Sequence, residues 1–239
     1  QGDFGYSRLY AVPVMDVLLP RLWNTCLLMG AAFLISVVIA IPAGMLAAAY
    51  PRSWLDYGIN LFAFAGFSIP SFWLALLLIL LFAAELGWLP ASGTGEGLAG
   101  RLRHLALPVL TLALVSTASL VRFTRAAMIE TLRNDYIRTA RAKGVSFRGV
   151  LLGHALRNAM IPVVTIIALD FGTLFSGALV VETMFAHLGM GKLIYDAVMG
   201  NDFNLALIGL LFATLVTLLA NLVADLVYAG LDPRISYAR

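Results

Sequence analysis

Five long apolar runs, separated by polar segments, dominate the pattern of this 239-residue chain. The runs cover residues 22–50, 59–86, 105–121, 160–181 and 205–229. A helix needs roughly 20 apolar residues to cross the hydrocarbon core of a bilayer, and all five runs are near or above that length. The pattern therefore predicts an all-α, polytopic membrane protein with five visible transmembrane helices.

Prolines inside these runs predict details of helix geometry. Pro42 and Pro70 lie within the first and second runs, where a missing backbone hydrogen bond predicts kinks. Pro108 is expected in the first turn of the third helix and Pro162 at the start of the fourth. The missing N–H of proline costs nothing at the start of a helix.

The composition indicates a membrane protein. Hydrophobic residues make up 61% of the chain, charged residues only 12%, and the mean hydropathy is +0.92. A soluble domain typically has about 25% charged residues. The formal net charge of +3 is small and unevenly distributed, which argues against nucleic acid as a partner.

The distribution of Lys and Arg orients the predicted helices. Alternating connections place residues 51–58, 122–159 and 230–239 on one side, which holds eleven of the 16 Lys and Arg residues. The positive-inside rule makes that side, and the C-terminus with it, cytoplasmic. The external segments are residues 1–21, 87–104 and 182–204. Because the visible N-terminus is then external, we expect a further helix upstream and six spans in the intact protein.

Two helices carry ridges of small or polar residues at every fourth position, a spacing that allows close helix packing. The first ridge consists of Ala32, Ser36, Ala40, Gly44 and Ala48. The ridge in the fifth helix consists of Gly209, Ala213, Thr217, Asn221 and Asp225. We interpret both as packing surfaces within this chain, with a subunit interface as the alternative.

The cytoplasmic segment 122–159 contains the start and stop signals of a short helix. Asn134 or Asp135 suits its N-cap, and Gly144 suits the left-handed position that follows its last turn. Residues 136–143 contain neither Gly nor Pro. The signals predict a helix of about eight residues below the membrane.

A second helix is expected directly after the short one. Ser146 suits its N-cap, and the helix would cover residues 147–158. Arg141 and Lys143 lie in the last turn of the short helix, where cations favour the helix dipole. The alternative is that these cations only set the topology and bind anionic lipid headgroups.

The loop sequences RTARAKG (138–144) and HALRN (154–158) resemble the cytoplasmic loop of a known family. The family is that of the inner-membrane permease subunits of binding-protein-dependent ABC importers, in its dipeptide, oligopeptide and nickel group. Its general pattern has Glu-Ala-Ala, three residues and Gly, followed later by Leu-Pro. Arg138 stands at the Glu position and Arg157 at the Pro position, and both departures are similar to the peptide and nickel branch.

The resemblance extends over essentially the whole chain. Further segments similar to the family occur in the right order: GDFG (2–5), FSIPSFW (67–73), LPASG (89–93), HLALPVLTL (104–112), VVETMF (180–185) and LDPRI (231–235). The last external loop departs from the family. AHLGMG (186–191) and NDFN (201–204) stand where the family usually has Trp-Pro-Gly and Tyr-Pro.

The resemblance implies the type I ABC importer transmembrane fold, with residues 1–239 forming one transmembrane domain and residues 122–159 its coupling loop. It also implies a second permease subunit, two cytoplasmic ATPase subunits and an extracytoplasmic solute-binding protein, assembled in the lipid of a bacterial inner membrane. The short helix would then dock in a groove of the ATPase. The residues expected to make this contact are Tyr136, Arg138, Thr139, Ala140, Arg141, Ala142, Lys143 and Gly144.

No sequence motif indicates catalysis by this chain. A G-x-x-x-x-G-K-[ST] phosphate loop is absent, so ATP and Mg are expected on the partner ATPase subunits. H-E-x-x-H and G-x-S-x-G are absent too. His104, His154 and His187 are scattered, so neither a metal site nor a cofactor is expected in this chain.

Two carboxylates fall inside predicted helices, where an ionisable group is costly. Asp225 lies near the cytoplasmic end of the fifth helix, and we interpret it as a structural, hydrogen-bonded group. Asp170 lies near the middle of the fourth helix and shares a face with Thr173 and Gly177. We predict that this face lines the translocation pathway, and pairing of Asp170 with another subunit is the alternative.

The predicted function is a permease subunit of an ATP-driven importer of peptides or a similar small solute, such as nickel chelates. An ion-gradient-driven secondary transporter or channel is the alternative, for which Asp170 is the best support. The lack of a second copy of TARAKG weakens that alternative, because secondary transporters often contain internal repeats. A membrane-embedded enzyme ranks third.

Overall fold

The computed structural model describes residues 4–231, with all side chains in that range except those of residues 172, 173, 176, 224, 225 and 227–231. The described chain is mostly helical and contains no strand, which confirms the predicted all-α class. The α-helices are α1 (Val14–Ala49), α2 (Trp54–Ser68), α3 (Ser71–Leu78), α4 (Gly97–Leu132), α5 (Asp135–Ala142), α6 (Phe147–Gly149), α7 (Arg157–Met184), α8 (Met190–Met199) and α9 (Phe203–Leu231). Two π-helical segments, Ile79–Glu85 and Val150–Leu156, follow α3 and α6.

The predicted membrane spans agree with the helices. Within the described residues, four helices are long and apolar enough to cross a membrane. A fifth span results when the bent pair Trp54–Ser68 and Ser71–Glu85 is taken as one broken span. The prediction of five visible spans is therefore confirmed, with the second span interrupted.

The interruption lies at Pro70, as predicted. α2 ends at Ser68 and α3 begins at Ser71, and Pro70 caps α3 with an extended backbone, φ −60° and ψ 138°. Pro42, in contrast, lies inside the unbroken α1. Of these two prolines in apolar runs, Pro70 interrupts the helix and Pro42 does not.

The prediction that Pro108 lies in the first turn of the third span is wrong. α4 begins at Gly97, so Pro108 lies in its interior. The first turns of α4 contain Arg101, Arg103 and His104, which lower the local hydropathy and hide the helix from a search for apolar runs. Arginine nevertheless has a high helix propensity, so the helix extends beyond its apolar part.

The prediction that Pro162 opens the fourth span is also wrong. Helical structure runs without interruption from α6 through the π-helical segment into α7, so Pro162 is internal. The helix expected over residues 147–158 is the start of this run. Ala155, Ala159 and Val163 are buried four residues apart, and their packing continues the helix past the proline.

Residues Gln1–Leu34, Ile69–Ala113 and Phe171–Ala220 form one compact unit. One of its cores packs the start of α1 against α8 and the start of α9. The buried residues of this core are Val14, Leu18, Met190, Leu193, Ile194, Ala197, Leu205, Ala206 and Ala213. The short α8 is held between the two flanking helices by this apolar contact.

Residues Ile35–Ser68, Leu114–Asp170 and Asn221–Arg239 form a second compact unit. One of its cores joins α1, α2 and α4 through Ala40, Ala63, Leu120 and Val121. Another core surrounds α5 and consists of Ala48, Met128, Ile137, Ala140, Val150, Leu151, Ala155 and Ala159.

The small residues of the α1 ridge are buried within this chain. They are Ala32, Ser36, Ala40, Gly44 and Ala48. Gly44 meets α4 so closely that an added Cβ would lie 2.6 Å from the Thr124 Cβ. Packing within the chain, the preferred interpretation of this ridge, is confirmed.

The α9 ridge is buried only in its first half. Gly209 and Ala213 are buried, Thr217 is half-buried and Asn221 is exposed. The side chain of Asp225 lies outside the described residues, and so does the hydrogen-bonded role predicted for it.

Candidate functional site

The short helix α5, predicted to be cytoplasmic, is attached to the rest of its unit by two buried side chains. Ile137 and Ala140, three residues apart, face the same side of the helix and are 0% and 8% exposed. They pack with Val150 and Leu151 of the π-helical segment and with Met128 of α4. Local apolar contacts therefore fix this helix to two arms, the end of α4 and the π-helical segment before α7, which join it to the membrane spans.

The other residues predicted to contact an ATPase form the outward surface of α5 and its C-terminal turn. Tyr136, Arg138, Thr139, Arg141, Ala142, Lys143 and Gly144 are exposed, whereas Ala140 points inward. Arg138 is 3.4 Å from Asp135, but both side chains are largely exposed, so this ion pair adds little stability. The outward surface is thus available to a partner and carries three cations.

Gly144 ends α5 in the left-handed conformation that the sequence predicts, with φ +79°. Its N–H donates to the Arg141 carbonyl at 3.0 Å, and the Val145 N–H donates to the Ala140 carbonyl at 3.2 Å. These two bonds form a Schellman motif, which satisfies carbonyls at the end of the helix. An added Cβ at Gly144 would meet no atom of the described residues within 4 Å.

Ser146 begins the next helical segment, as predicted. The Gly149 N–H donates a 3.3 Å hydrogen bond to the Ser146 hydroxyl. Asn134, at the start of α5, has the extended backbone of an N-cap but makes no capping bond with its side chain. The cap positions were therefore predictable from sequence, although only Ser146 uses its side chain.

Asp56 organises the turn between α1 and α2, and sequence reasoning did not identify it. Its carboxylate accepts hydrogen bonds from Arg125 Nε at 2.6 Å and Arg125 Nη2 at 2.8 Å. It also accepts bonds from the Arg52 N–H at 2.8 Å and Asn60 Nδ2 at 2.6 Å. The Asp56 side chain is only 3% exposed, so its charge is neutralised by Arg125 within this cluster.

A cavity of about 840 Å³ lies beside this turn. Its charged lining comes from Arg52, Arg125, Arg133 and Arg141, and we call it the cytoplasmic arginine pocket. Ala48, Ala49, Ile129 and Leu132 supply an apolar part of its wall. None of the described residues that line this pocket is acidic.

The residues predicted to line a pathway are described only in part. Asp170 is half-buried and accepts a hydrogen bond from the Ser116 hydroxyl of α4. Gly177 is half-buried, and an added Cβ there would lie 3.4 Å from Leu112 Cδ2. The side chain of Thr173 lies outside the described residues. Asp170 thus has a polar partner within its own chain, which the sequence did not predict.

A buried carboxylate holds the last external loop, which departs from the family pattern. Glu182 is 0% exposed and accepts hydrogen bonds from Thr25 Oγ1 at 2.5 Å and the Lys192 N–H at 3.1 Å. Gly189 and Gly191 approach so closely that an added Cβ at either position would collide with neighbouring atoms. Because Gly189 and Gly191 have no Cβ, the loop can pack this closely around Glu182.

A cavity of about 390 Å³ lies next to this loop, on the side predicted to be external. Asn24, Arg101, His104 and His187 are among its polar lining residues. Burial lowers the pKa of His187 below its ordinary value; the Asn24 backbone opposes this shift and the charge of Arg21 adds to it. His187 is therefore neutral at pH 7.

Asp202 fixes the N-terminal segment, predicted to be external, to the start of α9. Its carboxylate accepts hydrogen bonds from the Ser7 hydroxyl at 2.6 Å, the Leu9 N–H at 2.9 Å and the Leu205 N–H at 3.1 Å. Burial acts to raise the pKa of Asp202, but these hydrogen bonds outweigh it and the pKa is lowered. The NDFN segment that departs from the family thus contains a structural carboxylate.

The sequence is similar to known permease proteins over nearly its whole length. A family model described as "Binding-protein-dependent transport system inner membrane component" matches residues 40–237. The chain is 41% identical over 243 residues to the oligopeptide transport system permease protein AppB of Bacillus subtilis (strain 168), covering 99% of this chain and 77% of AppB. It is 43% identical over 237 residues to the glutathione transport system permease protein GsiC of Escherichia coli (strain K12), covering 99% of this chain and 76% of GsiC.

Two solved structures are similar in fold. An inward-facing structure of the MetNI methionine ABC transporter matches with a TM-score of 0.77 at 18% identity, covering 92% of this chain and 98% of that chain. A structure of an amino acid ABC transporter with histidines matches with a TM-score of 0.69 at 17% identity, covering 90% of this chain and 94% of that chain.

Proposed function

Since the chain belongs to the inner membrane components of binding-protein-dependent transport systems and is a permease subunit of an ABC importer, we propose that it imports peptides or a similar small solute. Family membership confirms the predicted permease function and the type I importer fold. It also favours ATP-driven import over an ion-gradient-driven transporter or channel. The chain is a multi-pass transport subunit of an inner membrane.

The names of the two relatives support a peptide substrate. One is named for oligopeptides and the other for glutathione, which is itself a small peptide. The whole chain takes part in both matches, including the external segments that would meet an incoming solute. A nickel chelate, the other substrate class predicted from the sequence, has no such support from these names.

The observation that carries the mechanism is the arrangement of α5. Ile137 and Ala140 anchor this helix to both of its arms, while its opposite surface is exposed. In the proposed mechanism that surface docks on an ATPase subunit, and closure of the two ATPases around ATP and Mg displaces α5. The displacement then reaches α4 and α7, whose cytoplasmic ends are connected to α5 by short segments.

The proposed assembly contains a second permease subunit, two ATPase subunits and an extracytoplasmic solute-binding protein. The external segments around Glu182 and Asp202 would face the binding protein, and the C-terminus would lie in the cytoplasm with α5. Both external segments are fixed by buried hydrogen bonds, so they present a defined surface for docking.

Asp170, Thr173 and Gly177 are the proposed pathway residues. The hydrogen bond from Ser116 gives the Asp170 carboxylate a polar partner inside the membrane segment, where an ionisable group is costly. A carboxylate at this depth could then meet the ammonium group of a peptide. Unchanged peptide uptake and unchanged substrate preference in Asp170→Asn would contradict a pathway role.

The function can be tested with the complete transporter in proteoliposomes. Uptake of a labelled tripeptide is measured with the binding protein outside and ATP inside, with and without ionophores that collapse ion gradients. We expect uptake to require ATP and the binding protein and to persist with the ionophores. Uptake that stops when gradients collapse, with ATP still present, would contradict the proposal.

A further inference from the structure

Three arginines of the cytoplasmic arginine pocket have no counter-charge in the described chain. Arg125 is paired with Asp56, but the side chains of Arg52, Arg133 and Arg141 make no hydrogen bond or ion pair to any described residue. They come from three separate elements: the α1–α2 turn, the segment after α4, and α5. Three like charges around one cavity repel one another unless an anion lies between them.

The position of Arg52 is imposed by the fold. Its backbone has φ +63°, which is uncommon for a residue other than glycine. The Arg52 N–H donates to Asp56, which is bound in turn to Arg125, so the strained turn is held by the ion pair. Arg52 therefore has an uncommon backbone conformation beside an open, positively charged cavity. Such a conformation indicates that the direction of the Arg52 side chain is functionally constrained.

Aromatic residues place the pocket at the level of lipid headgroups. Tyr50, Trp54 and Tyr57 flank the same turn and are 52%, 91% and 58% exposed. Tyrosine and tryptophan favour the membrane–water interface, where their rings contact the acyl region and their polar atoms remain hydrated. The positive-inside distribution places this interface on the cytoplasmic leaflet, which carries anionic lipids.

The pocket combines two kinds of surface. Arg52, Arg133 and Arg141 form a charged rim, whereas Ala48, Ala49 and Ile129 form an apolar wall. A free inorganic phosphate would use only the rim. A phospholipid would place its phosphate among the guanidinium groups, which bind phosphate through paired N–H donors, and its glycerol and first acyl carbons against the apolar wall.

We propose that the cytoplasmic arginine pocket binds the headgroup of an anionic phospholipid from the inner leaflet. The bound phosphate would connect Arg141 of α5 to Arg52 at the end of α1, so the lipid would join the cytoplasmic helix to a membrane span. The chemistry of the site is that of a phosphate monoanion, and the apolar wall distinguishes a lipid from a free ion.

The test measures lipid retention and does not depend on transport. The full-length protein is purified in detergent, titrated with phosphatidylglycerol or phosphatidylcholine, and analysed by native mass spectrometry. The double variant Arg52→Gln, Arg133→Gln removes two charges from the rim and leaves the Asp56–Arg125 pair intact. We expect its affinity for phosphatidylglycerol to fall about tenfold, because the two rim guanidinium groups that bind the lipid phosphate directly are removed.

The matched control is the double variant Arg148→Gln, Arg157→Gln. Both of these arginines are exposed on the same cytoplasmic segment, and neither lines the pocket. The control loses the same charge but keeps every arginine of the pocket, so only the general attraction to anionic lipid is weakened. We expect its phosphatidylglycerol affinity to stay within about twofold of that of the unmodified protein. Equal losses in both double variants would overturn the proposal, because lipid attraction would then depend on overall charge.

Three further outcomes are informative. Displacement of phosphatidylglycerol by millimolar inorganic phosphate alone would overturn the lipid assignment and indicate a small-anion site. Unchanged lipid retention in Arg52→Gln, Arg133→Gln, accompanied by weaker assembly with the ATPase subunits, would also overturn it and assign the rim to an acidic protein surface. Retention of phosphatidylglycerol over phosphatidylcholine, lost only in the pocket variant, would support the proposal.

Discussion

Thr25 and Glu182 are 157 residues apart in sequence, and the Thr25 hydroxyl donates a 2.5 Å hydrogen bond to the Glu182 carboxylate. The same hydroxyl accepts a 2.7 Å hydrogen bond from the Met190 N–H at the start of α8. One buried oxygen therefore connects α1, the end of α7 and α8. Thr25 is 1% exposed, so water cannot replace either bond.

We expect Thr25→Val to destabilise the protein by about 2 kcal/mol, because it leaves a buried carboxylate oxygen and a backbone N–H without a partner. Unfolding in increasing SDS concentrations would measure the loss. Thr25→Ser keeps the hydroxyl and should be much less harmful. Thr214→Val is the matched control, since the Thr214 hydroxyl is exposed and bonds only within its own helix. An equal loss in Thr214→Val would contradict the assigned role.

Gly189→Ala should disturb the same loop by crowding. A methyl group there would collide with the Glu182 carboxylate, which has no free space to move into because it is fully buried. We expect a loss of about 1–3 kcal/mol in the same SDS assay. Gly30→Ala is the control, because a Cβ at this position in α1 meets no atom of the described residues within 4 Å and alanine favours helix. Comparable losses in both variants would contradict the crowding explanation.

The neutral His187 predicts a pH dependence of stability. Burial lowers its pKa in the folded state, so below about pH 6.5 the unfolded chain binds a proton that the folded chain does not. The contribution of His187 to stability is therefore complete above about pH 6.5 and is lost as the pH falls toward the folded-state pKa. Titration of a ¹³C-labelled His187 by NMR should give a pKa below the ordinary histidine value of about 6.5. A midpoint at or above that value would refute this prediction.

Gly144 allows the effects of bulk and backbone strain to be separated in α5. Alanine and tryptophan should both destabilise the protein by about 1–2 kcal/mol, because a residue with a Cβ is strained at φ +79°. Neither Cβ would meet an atom of the described chain within 4 Å. We therefore attribute a larger defect in Gly144→Trp than in Gly144→Ala to contact with a partner. We expect ATP-driven uptake to be strongly reduced in Gly144→Trp, with ATPase activity uncoupled from uptake or assembly lost.

Gly144→Asn provides the control for the backbone, since asparagine tolerates the left-handed conformation better than other residues. It should retain most of the uptake. Normal coupled uptake in Gly144→Trp would contradict docking of α5 on the ATPase.

Local features were predictable from the sequence. The caps at Ser146 and Gly144 and the break at Pro70 depend on a few neighbouring residues, so their signals are readable without the fold. The small-residue ridge of α1 was predictable because its period is that of a helix face. Pro108 and Pro162 were misplaced because amphipathic turns extend a helix beyond the apolar run that identifies it.

Long-range polar pairs were not predictable. Asp56 and Arg125 are 69 residues apart, and Ser7 and Asp202 are 195 apart. The sequence around one partner therefore contains no signal that identifies the other. Each of these carboxylates lies beside a predicted span, where a solvated charge would look the same. Only the fold shows that they are buried and bonded.

The two buried side chains of α5 also determine the directions in which force can pass through it. If α5 were joined to the spans only by flexible chain, tension would be transmitted only after that slack chain had become extended. Compression would hardly be transmitted. Ile137 and Ala140 are instead wedged against Val150, Leu151 and Met128, so there is no slack on either side. Tension and compression applied to α5 would both reach the spans, and one contact could therefore serve both the closing and the reopening stroke of the transport cycle.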